Sequence, residues 1–444
     1  MMIDENRLKI LTDGAKYDVS CSSSGSKRKN TADGLGNAAF AGICHSFAAD
    51  GRCISLLKIL MSNDCVFDCK YCPNRRSADV PRASLTPEEI CELTVGFYQR
   101  NYIEGLFLAS AVVQNPNYTM ELLYKTVLLL RTVYRFNGYI HLKGIPHADK
   151  ILTQKVANLV DRMSYNVELP SEESLKLLAP QKTKQSIFTP MGELTAGRAQ
   201  YLAERKKGGS RGEMKGLGRY LPAGQTTQMI VGASPEKDGK ILRLTQAMYQ
   251  KFDLKRVYYS AYIPVVQDPL LPNKTAGLLR EHRLYQADWL LRFYGFSSEE
   301  ILREEEDLPM EYDPKCAWAL KNMQFFPVEI NTASVEQLLR VPGIGARSAY
   351  KIVSARKYAT LRFEHLEKMR IVLKRAKHFI TCAGKFYGSD DPQTVKLRLT
   401  LAERTDNAEQ LSFFEHGILP PSIKEKFLLN STKETAITVL TGQL

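Results

Sequence analysis

The stretch that decides the fold reads Cys65-Val66-Phe67-Asp68-Cys69-Lys70-Tyr71-Cys72. Its three cysteines have the spacing C-x3-C-x2-C, which lets one short loop present three thiolates to one metal cluster. A structural zinc site usually has a fourth Cys or His, and none follows at close spacing. Three thiolates can also hold a [4Fe–4S] cluster, in which the fourth iron then stays free to bind another group. A free iron of this kind indicates a catalytic role. The alternative is a zinc knuckle, with His141 or a distant cysteine as fourth ligand, or reduced thiols without metal.

Apolar runs of strand length alternate with amphipathic helical stretches along most of the chain, which is typical of strand–helix units around a parallel sheet. Six strands are predicted, at 54–61, 105–110, 138–143, 164–169, 226–231 and 255–263. Thr86-Pro87-Glu88-Glu89 has the residues of a helix start. The sequence therefore predicts an α/β fold, a partial (β/α)6 barrel of the TIM type, whose functional groups gather at the carboxyl ends of the strands.

Tyr71 is an aromatic residue just before the last cysteine, and with it the loop resembles that of the radical S-adenosylmethionine (SAM) enzymes. The resemblance implies that Cys65, Cys69 and Cys72 ligate three irons of a [4Fe–4S] cluster. It also implies that the amino and carboxylate groups of SAM bind the fourth iron. An electron from the cluster would then cleave SAM to a 5′-deoxyadenosyl radical.

The strand ends supply the candidate contacts to SAM that this resemblance implies. The family has a glycine-rich motif with an acidic residue after the second strand, whereas this chain has Ala109-Ser110-Ala111-Val112, so Ser110 is the proposed substitute. A polar residue on the fourth strand meets the ribose in the family. Glu168 stands at that place. Asn166, two residues earlier, shares its face of the strand. Ordinary hydrogen bonding at the barrel rim is the alternative for both. The complete set of candidates is Tyr71, Ser110, Lys143, Asn166, Glu168 and Gly232.

A second informative stretch is Leu338-Leu339-Arg340-Val341-Pro342-Gly343-Ile344-Gly345-Ala346-Arg347, which lies between helical patterns at 333–340 and 346–356. It resembles a helix-hairpin-helix. The two glycines let the backbone turn tightly and expose amide hydrogens at the start of the second helix, where a DNA phosphate is favoured. Ile344 is expected to point inward. The predicted DNA-binding residues are Pro342, Gly343, Ile344, Gly345, Arg347 and Lys351.

Charge is concentrated around this hairpin. Between Lys315 and Gly388 there are fourteen Lys or Arg against four Asp or Glu, whereas the whole chain carries a net charge of +13. Binding to DNA is therefore expected to be salt-sensitive and largely independent of sequence. A solvated basic face or a protein-docking hairpin is the alternative. A degenerate second copy of the hairpin is predicted at 363–380.

Length and composition, 444 residues with 44% hydrophobic and 25% charged, are typical of a globular chain with two or three domains. The predicted divisions are an N-terminal extension (1–53), the barrel (54–312), an all-α helix-hairpin-helix domain (313–388) and a weakly ordered tail (389–444). The start lacks a signal-peptide pattern, and no apolar run reaches the roughly 18 residues of a membrane span. Nine cysteines fit reduced thiols. A cytoplasmic location is expected.

Three further features carry predictions. Gln410-Leu411-Ser412-Phe413-Phe414 resembles the peptide that docks on the DNA sliding clamp, although a fragment that packs on the protein body is the alternative. The glycines of 208–212 predict a mobile loop, because they do not follow a strand and open a helix as in a nucleotide-binding motif. Cys21, Cys44 and Cys53 are candidates for a second cluster or for reduced thiols.

From about residue 15 to about residue 388 the chain resembles a radical SAM group assigned to DNA modification or repair. Stretches that carry the resemblance include Asp50-Gly51-Arg52-Cys53 and Pro73-Asn74-Arg75-Arg76. The resemblance implies radical chemistry on a nucleotide in DNA, with a partner like uracil-DNA glycosylase. Candidate substrate contacts are Tyr262, His282, Arg283 and Tyr285. The alternatives are an RNA-modifying radical enzyme and a non-catalytic DNA-binding adaptor with a structural metal.

Overall fold

The computed structural model describes residues 4–15, 22–23, 43–47, 53–206, 220–388 and 395. These residues divide into two units. The first unit comprises the described residues up to Glu236 together with Ala247–Gly277. The second comprises Lys237–Gln246 and the described residues from Leu278 onward. The predicted boundary at residues 312 and 313 lies inside the second unit, and the domain limits stay predictions.

One sheet organises the first unit, and each of its strands pairs with the next strand along the chain. The first two pairings are antiparallel, and every later one is parallel. The strands are β1 (Ser22–Ser23), β2 (Ile43–Phe47), β3 (Cys53–Leu60), β4 (Gly105–Ala109), β5 (Tyr139–Lys143), β6 (Arg162–Ser164), β7 (Gln225–Val231) and β8 (Leu254–Ala261). The six predicted strands are therefore β3 to β8, and β1 and β2 are additions that the sequence did not predict.

Helices connect the parallel strands in this sheet. They are α2 (Pro87–Gln99), α3 (Pro116–Thr132), α4 (Lys150–Ala157), α5 (Glu172–Leu178), α6 (Lys184–Lys206) and α7 (Asp238–Phe252), preceded by α1 (Glu5–Ala15). Crossovers between parallel strands are right-handed, so a strictly consecutive strand order puts all the helices on one side of the sheet. This is the arrangement of a barrel, and with six parallel strands it is a partial one. The predicted fold class is confirmed.

The strand ends and helix starts of this unit follow from local chemistry. All five residues of β4 are buried, as expected for a parallel strand that is covered on both faces. At α2, Thr86 Oγ1 accepts a hydrogen bond from the Glu89 amide, and the Glu89 carboxylate accepts one from the Thr86 amide. The predicted helix start is therefore a capping box with Pro87 in the first position.

The fourth predicted strand is shorter than the sequence suggested. Its apolar run predicted residues 164–169, whereas β6 ends at Ser164. The Thr227 side chain takes the place of the next backbone pairing, because its hydroxyl donates to the Tyr165 carbonyl (2.7 Å) and accepts from the Val167 amide (3.1 Å). Glu168 then rejoins β7, through a parallel bridge to Met229.

The second unit combines short helices with a small sheet. The helices are α8 (Leu278–Phe293), α9 (Ser298–Ile301), α10 (Pro314–Lys321), a 3-10 turn (Met323–Phe325), α11 (Val335–Arg340), α12 (Ala346–Ala355), α13 (Phe363–Lys368) and α14 (Leu373–Ala376). The sheet has the order β11 (Lys385–Phe386), β10 (Ile380–Cys382), β9 (Val328–Glu329). The sequence predicted only helices here, since strands of two or three residues are too short to show a period of two.

A cluster of aromatic rings forms part of the core of the second unit. Trp318 packs edge-on against Phe296, with ring centroids 5.4 Å apart, and stacks on Phe325 at 6.0 Å. The Arg340 guanidinium lies over the Phe296 ring, 4.5 Å from its centroid. Trp318 is only 5% exposed, so it is a core residue.

Several sequence predictions fall outside the described residues. These are the loop at 208–212, Cys21, the side chains of Cys44 and Cys53, and the tail with its stretch from Gln410 to Phe414. In the part of the chain that is described, no helix has both the length and the apolar character of a membrane span. No disulfide joins the six described cysteines, Cys65, Cys69, Cys72, Cys91, Cys316 and Cys382.

Candidate functional site

The cysteine loop follows β3 and therefore lies at the carboxyl end of the parallel sheet. It is closed internally by a hydrogen bond from the Cys72 amide to the Cys69 carbonyl (3.0 Å). It is also tied to the end of α5, because the Lys70 amide donates to the Leu178 carbonyl (2.7 Å). The loop is thus fixed by backbone contacts to the barrel.

Asp68 organises the exposed side of this loop. Its carboxylate accepts hydrogen bonds from the Ser77 hydroxyl (2.6 Å) and from the Lys70 ammonium (3.0 Å). These two hydrogen bonds, with Ser77 as the larger influence, hold the pKa of Asp68 below its ordinary value. Asp68 is therefore ionised at neutral pH and joins the loop, at Lys70, to Ser77 in the chain that follows it.

Arg82 holds the chain that follows the cysteines. Its two terminal nitrogens donate to the carbonyls of Asn63 (2.7 Å), Asn74 (3.0 Å), Arg75 (2.7 Å) and Ala78 (2.8 Å). The planar guanidinium can satisfy four acceptors because it carries donors in a fixed fork. No sequence pattern indicates this role, since the acceptors of Arg82 are backbone atoms.

The three thiols are shielded from solvent to different degrees. Cys69 is buried, and Cys65 and Cys72 are half-buried. Burial raises the pKa of Cys72 to about 12, and the neighbouring Cys69 adds to the effect. Burial likewise raises the pKa of Cys69, against the opposing influence of Lys182. Without a metal the thiols of Cys69 and Cys72 are protonated, so metal binding has to displace their protons.

Cys65, Cys69 and Cys72 offer three thiolate donors, the ligand type of iron–sulfur clusters. Among the described residues, no three His, Cys, Asp or Glu side chains converge as the ligands of a single metal ion do. The three thiols are still close enough for Cys65 and Cys69 to influence the ionisation of Cys72. Cys65, Cys69 and Cys72 are therefore the residues that would hold an iron–sulfur cluster.

A buried ion pair lies beside the thiols. Lys182 Nζ is 2.9 Å from Glu168 Oε1, and the two side chains are 14% and 8% exposed. Burial by itself would lower the pKa of Lys182, but the Glu168 carboxylate and Cys69 outweigh it and raise that pKa. Lys182 is therefore a cation held next to the cysteine loop. Sequence reasoning missed it, because its loop before α6 shows no motif.

Glu168 itself has an unusual backbone. Its φ is +65°, in the left-handed region that non-glycine residues rarely adopt. Such strain persists where surrounding contacts impose it, and it is common at functional sites. Here the Glu168 amide and carbonyl are both held by β7, through Gln228 (3.1 Å) and Ile230 (2.7 Å). The predicted site residue is thus locked in position.

Two other predicted residues carry buried polar atoms. The Tyr71 hydroxyl is buried beside Cys69, and burial raises the pKa of Tyr71 well above its ordinary value. Asn166 Nδ2 donates to Gln228 Oε1 (3.4 Å), and its Oδ1 is buried. Within the described residues Asn166 Oδ1 has no hydrogen-bond partner, and the Tyr71 hydroxyl has only the Cys69 sulfur beside it. Buried polar atoms usually find partners, so these two are suited to meet a ligand.

The remaining predicted SAM contacts lie at strand ends as expected. Ser110 directly follows β4, and its hydroxyl donates to the Ala111 carbonyl (2.7 Å). Lys143 is the last residue of β5. Gly232 follows β7 with φ +82°, a conformation that favours glycine. Their contacts with a cofactor stay predictions.

A groove of about 780 Å³ lies elsewhere on the first unit, where Lys150, Phe188, Glu193 and Phe252 are among its lining residues. None of its lining residues belongs to the cysteine loop or to the predicted SAM contacts. The chemistry of the three thiols, rather than the size of a groove, therefore identifies the candidate site.

The hairpin is built as the sequence predicted. α11 and α12 flank a turn in which Gly343 has φ +84°, and a Cβ there would lie 2.6 Å from the Val372 carbonyl oxygen. Only glycine fits this position. Ile344 is 1% exposed and points into the core. Pro342 is also buried within the turn, and the DNA contacts predicted for the turn residues stay predictions.

Charged residues surround the turn on both sides. Gly345 begins α12 without a side-chain cap, which leaves the amides of the first turn available to an anion. Arg347 and Lys351 are exposed on α12. Below the turn, the buried Lys315 donates to the Ile344 carbonyl (2.6 Å) and lies over the Tyr294 ring, 4.7 Å from its centroid.

The candidate substrate contacts belong to different units. Tyr262 lies in the first unit, and the other three lie on α8 in the second. Arg283 is buried and donates to the Met310 carbonyl (2.8 Å). His282 bonds to Gln286 (2.9 Å), and burial lowers the pKa of His282. Arg283 and His282 therefore have structural partners within α8 and its surroundings.

Comparison with known proteins identifies a sequence motif in the second unit, whereas for the rest of the chain it finds only distant structural similarity. Residues 324–386 match the family model of the helix-hairpin-helix motif. No curated protein matches the sequence. Among solved structures, the FeFe-hydrogenase maturase HydG from Carboxydothermus hydrogenoformans has a TM-score of 0.38 and 11% identity, over 70% of this chain and 79% of that one.

Two further solved structures are similar in the same degree. Methylornithine synthase (PylB) has a TM-score of 0.34 and 15% identity, over 64% of this chain and 67% of that one. The cobalamin-dependent S-adenosylmethionine radical enzyme OxsB has a TM-score of 0.31 and 12% identity, over 87% of this chain and 59% of that one. At these values the fold assignment rests on the strand order of this chain. It is a partial (β/α) barrel with a cysteine loop, followed by a helical region with a helix-hairpin-helix motif.

Proposed function

We propose that this protein is a radical SAM enzyme that acts on DNA. The observation that carries the proposal is the position of Cys65, Cys69 and Cys72 in one loop at the carboxyl end of the first parallel strand. That end is where barrels gather their functional groups. A helix-hairpin-helix motif at residues 324–386 of the same chain supports nucleic acid as the substrate.

The three cysteines hold a [4Fe–4S] cluster in this proposal, and SAM binds beside it. Bound together, the cluster and SAM supply a radical that starts the reaction. The SAM contacts are Tyr71, Ser110, Lys143, Asn166, Glu168 and Gly232. Lys182 joins this set, because it pairs with Glu168 next to the thiols.

The hairpin binds the DNA backbone through the turn from Pro342 to Gly345, with Arg347 and Lys351 as side-chain contacts. The reaction is a repair or modification step on one nucleotide. A target base in duplex DNA has to leave the stack first, at a cost of a few kcal/mol that is lowest at damaged sites. A protein like uracil-DNA glycosylase and the sliding clamp are the proposed partners, and the cytoplasm is the proposed location.

The first experiment measures iron, sulfide and zinc in anaerobically purified protein, together with 5′-deoxyadenosine release from SAM under a strong reductant. The matched variant replaces Cys65, Cys69 and Cys72 by Ala. About four irons per chain, with release that depends on the three cysteines, is the expected result.

Other outcomes identify the alternatives. If the protein contains zinc and does not cleave SAM even after cluster reconstitution, the enzyme hypothesis is wrong. The chain would then be a DNA-binding adaptor with a structural metal. SAM cleavage with a preference for structured RNA over DNA in a competition assay would assign the chain to RNA modification instead.

A further inference from the structure

One face of α12 is exposed along its whole length and carries both charge and an aromatic ring. Arg347, Tyr350 and Lys351 are exposed on this face, whereas Ala349 and Ile352 on the opposite face are fully buried. Residues three and four apart share a helix face, so the three exposed side chains are neighbours. The face begins directly after the hairpin turn.

The same exposed face continues into the turn after α12. The Lys357 amide bonds to the Ser354 carbonyl (3.4 Å) and the Tyr358 amide to the Ala355 carbonyl (3.1 Å), so the chain keeps winding. Both side chains are exposed. We call the set Arg347, Tyr350, Lys351, Lys357 and Tyr358 the outer stripe.

Among the described residues, some cations of the second unit are paired with carboxylates, whereas those of the outer stripe are not. Elsewhere in the second unit, Arg340 pairs with Glu300 and Arg375 with Asp313, each at 2.9 Å. Within the described residues, no ion pair or hydrogen bond involves the side chains of Arg347, Lys351 or Lys357. These three charges are therefore available to an anionic partner.

The two tyrosines of the stripe are unusually open to solvent. Tyr350 is 64% exposed and Tyr358 is 89% exposed. Single exposed aromatic residues are common and need no explanation. Two such rings interleaved with three unpaired cations are the composition of surfaces that bind single-stranded nucleic acid, where bases stack on rings and cations follow the phosphates.

We propose that the outer stripe binds unpaired nucleotides of DNA, with Tyr350 and Tyr358 as stacking platforms and the three cations as phosphate contacts. This inference rests on the proposed DNA function and names the form of DNA that the unit prefers. Eight residues separate the two rings, about 12 Å at helical rise, which matches a few stacked nucleotides at about 3.4 Å each. The hairpin turn then holds the backbone of the adjoining duplex.

The test uses the full chain and one mixed-sequence oligonucleotide with a fluorescent label, single-stranded and as a duplex. Anisotropy is measured over a series of salt concentrations. Replacing Tyr350 and Tyr358 together by Ala is expected to weaken single-strand binding at least about ten-fold, since each stacked base contributes about 1–3 kcal/mol. Duplex binding is expected to change little.

Two matched variants separate stacking from other roles. Replacing both tyrosines by Phe keeps the rings and is expected to preserve single-strand binding. Tyr102→Ala removes an exposed tyrosine, 56% exposed, from the first unit and serves as the control for surface truncation. Replacing Arg347 and Lys351 by Ala is expected to weaken both forms of DNA and to lower the salt slope by about two.

The outcomes distinguish this inference from the proposed function. If the parent protein binds both forms of DNA and the double Ala variant binds them equally well, the stacking role is overturned and the rings are left as a protein-docking surface. If the parent binds neither form at low salt, the DNA function itself fails. Loss of single-strand binding in the Phe variant would assign the effect to the hydroxyl groups and overturn stacking.

Discussion

At the scale of single residues, Arg82 holds the chain on both sides of the cysteine loop through four hydrogen bonds. Arg82→Met leaves four backbone carbonyls, those of Asn63, Asn74, Arg75 and Ala78, without their donor. A lost charged hydrogen bond costs about 1.5–3 kcal/mol, and several are lost here. We expect the variant to retain less than about half of the iron of the parent after anaerobic reconstitution, by iron and sulfide assay.

The control for this variant lies in the same loop. Arg76 is exposed, so Arg76→Met removes one positive charge and leaves the four hydrogen bonds of Arg82 in place. Iron retention in the Arg82 variant equal to that of the Arg76 variant would show that the loop keeps its shape without the guanidinium.

The ion pair between Lys182 and Glu168 gives a second prediction at this scale. Lys182→Met leaves a buried carboxylate without its partner, which costs about 3–5 kcal/mol in comparable cases. Adding Glu168→Gln removes the unpaired charge, so the double variant is expected to be more stable than Lys182→Met alone. Urea unfolding at neutral pH measures both.

A double variant that is the less stable of the two would contradict this expectation. It would show that Lys182 stabilises the loop through contacts other than Glu168.

At the scale of the element, the hairpin turn depends on Gly343. Gly343→Ala adds a Cβ 2.6 Å from the Val372 carbonyl oxygen in a backbone conformation with φ +84°. Strain and clash add, so we expect a loss of about 2–3 kcal/mol in the free energy of unfolding. Gly384 has φ +75°, and no atom lies within 4 Å of the place that a Cβ would take, so Gly384→Ala supplies strain without a clash.

Thermal or urea unfolding compares the two variants. Equal losses for Gly343→Ala and Gly384→Ala would show that the Val372 contact relaxes at no cost.

Lys315, beneath the same turn, makes the stability of the second unit depend on pH. Burial lowers the pKa of Lys315 from 10.5 to about 7. The folded state therefore releases this proton at a lower pH than the unfolded state, so stability rises as the pH increases from about 7 towards 10.5. Below pH 7 both states hold the proton, and the cost of burying the charge is present in full.

Urea unfolding between pH 6 and pH 9 is the measurement, and the expected slope reaches at most about 1.4 kcal/mol per pH unit. Lys315→Met removes the titrating group. Asp313, Cys316 and Arg340 also act on Lys315, and they remain in the variant. An unchanged slope in Lys315→Met would assign the pH dependence to other groups.

The elements also show what can be predicted from the sequence. The six parallel strands are visible as apolar runs, and the hairpin turn is visible because Gly343 is required by a local conformation. The end of β6 is not visible, because it depends on the hydroxyl of Thr227, about sixty residues away in the chain. Lys182 was not predicted either, because its role depends on its contact with Glu168, which no sequence pattern indicates.

At the scale of the whole molecule, the two candidate sites are carried by different units of the chain. Replacing Cys65, Cys69 and Cys72 by Ala is therefore expected to abolish cluster binding and to leave DNA affinity within about two-fold of the parent, as for independent sites. Anisotropy with the labelled oligonucleotide and iron assay on one preparation test both halves of this expectation. A large loss of DNA affinity in the variant would show that the sites depend on each other.

Both tryptophans of the chain, Trp289 and Trp318, lie in the second unit. Trp318 is packed among Phe296, Phe325 and Arg340, whereas Trp289 is half exposed. Light absorbed selectively by tryptophan is therefore re-emitted from the unit that carries the hairpin, and the barrel contributes no indole emission. Intrinsic tryptophan fluorescence thus follows the unfolding of the second unit without any label, while circular dichroism follows both units.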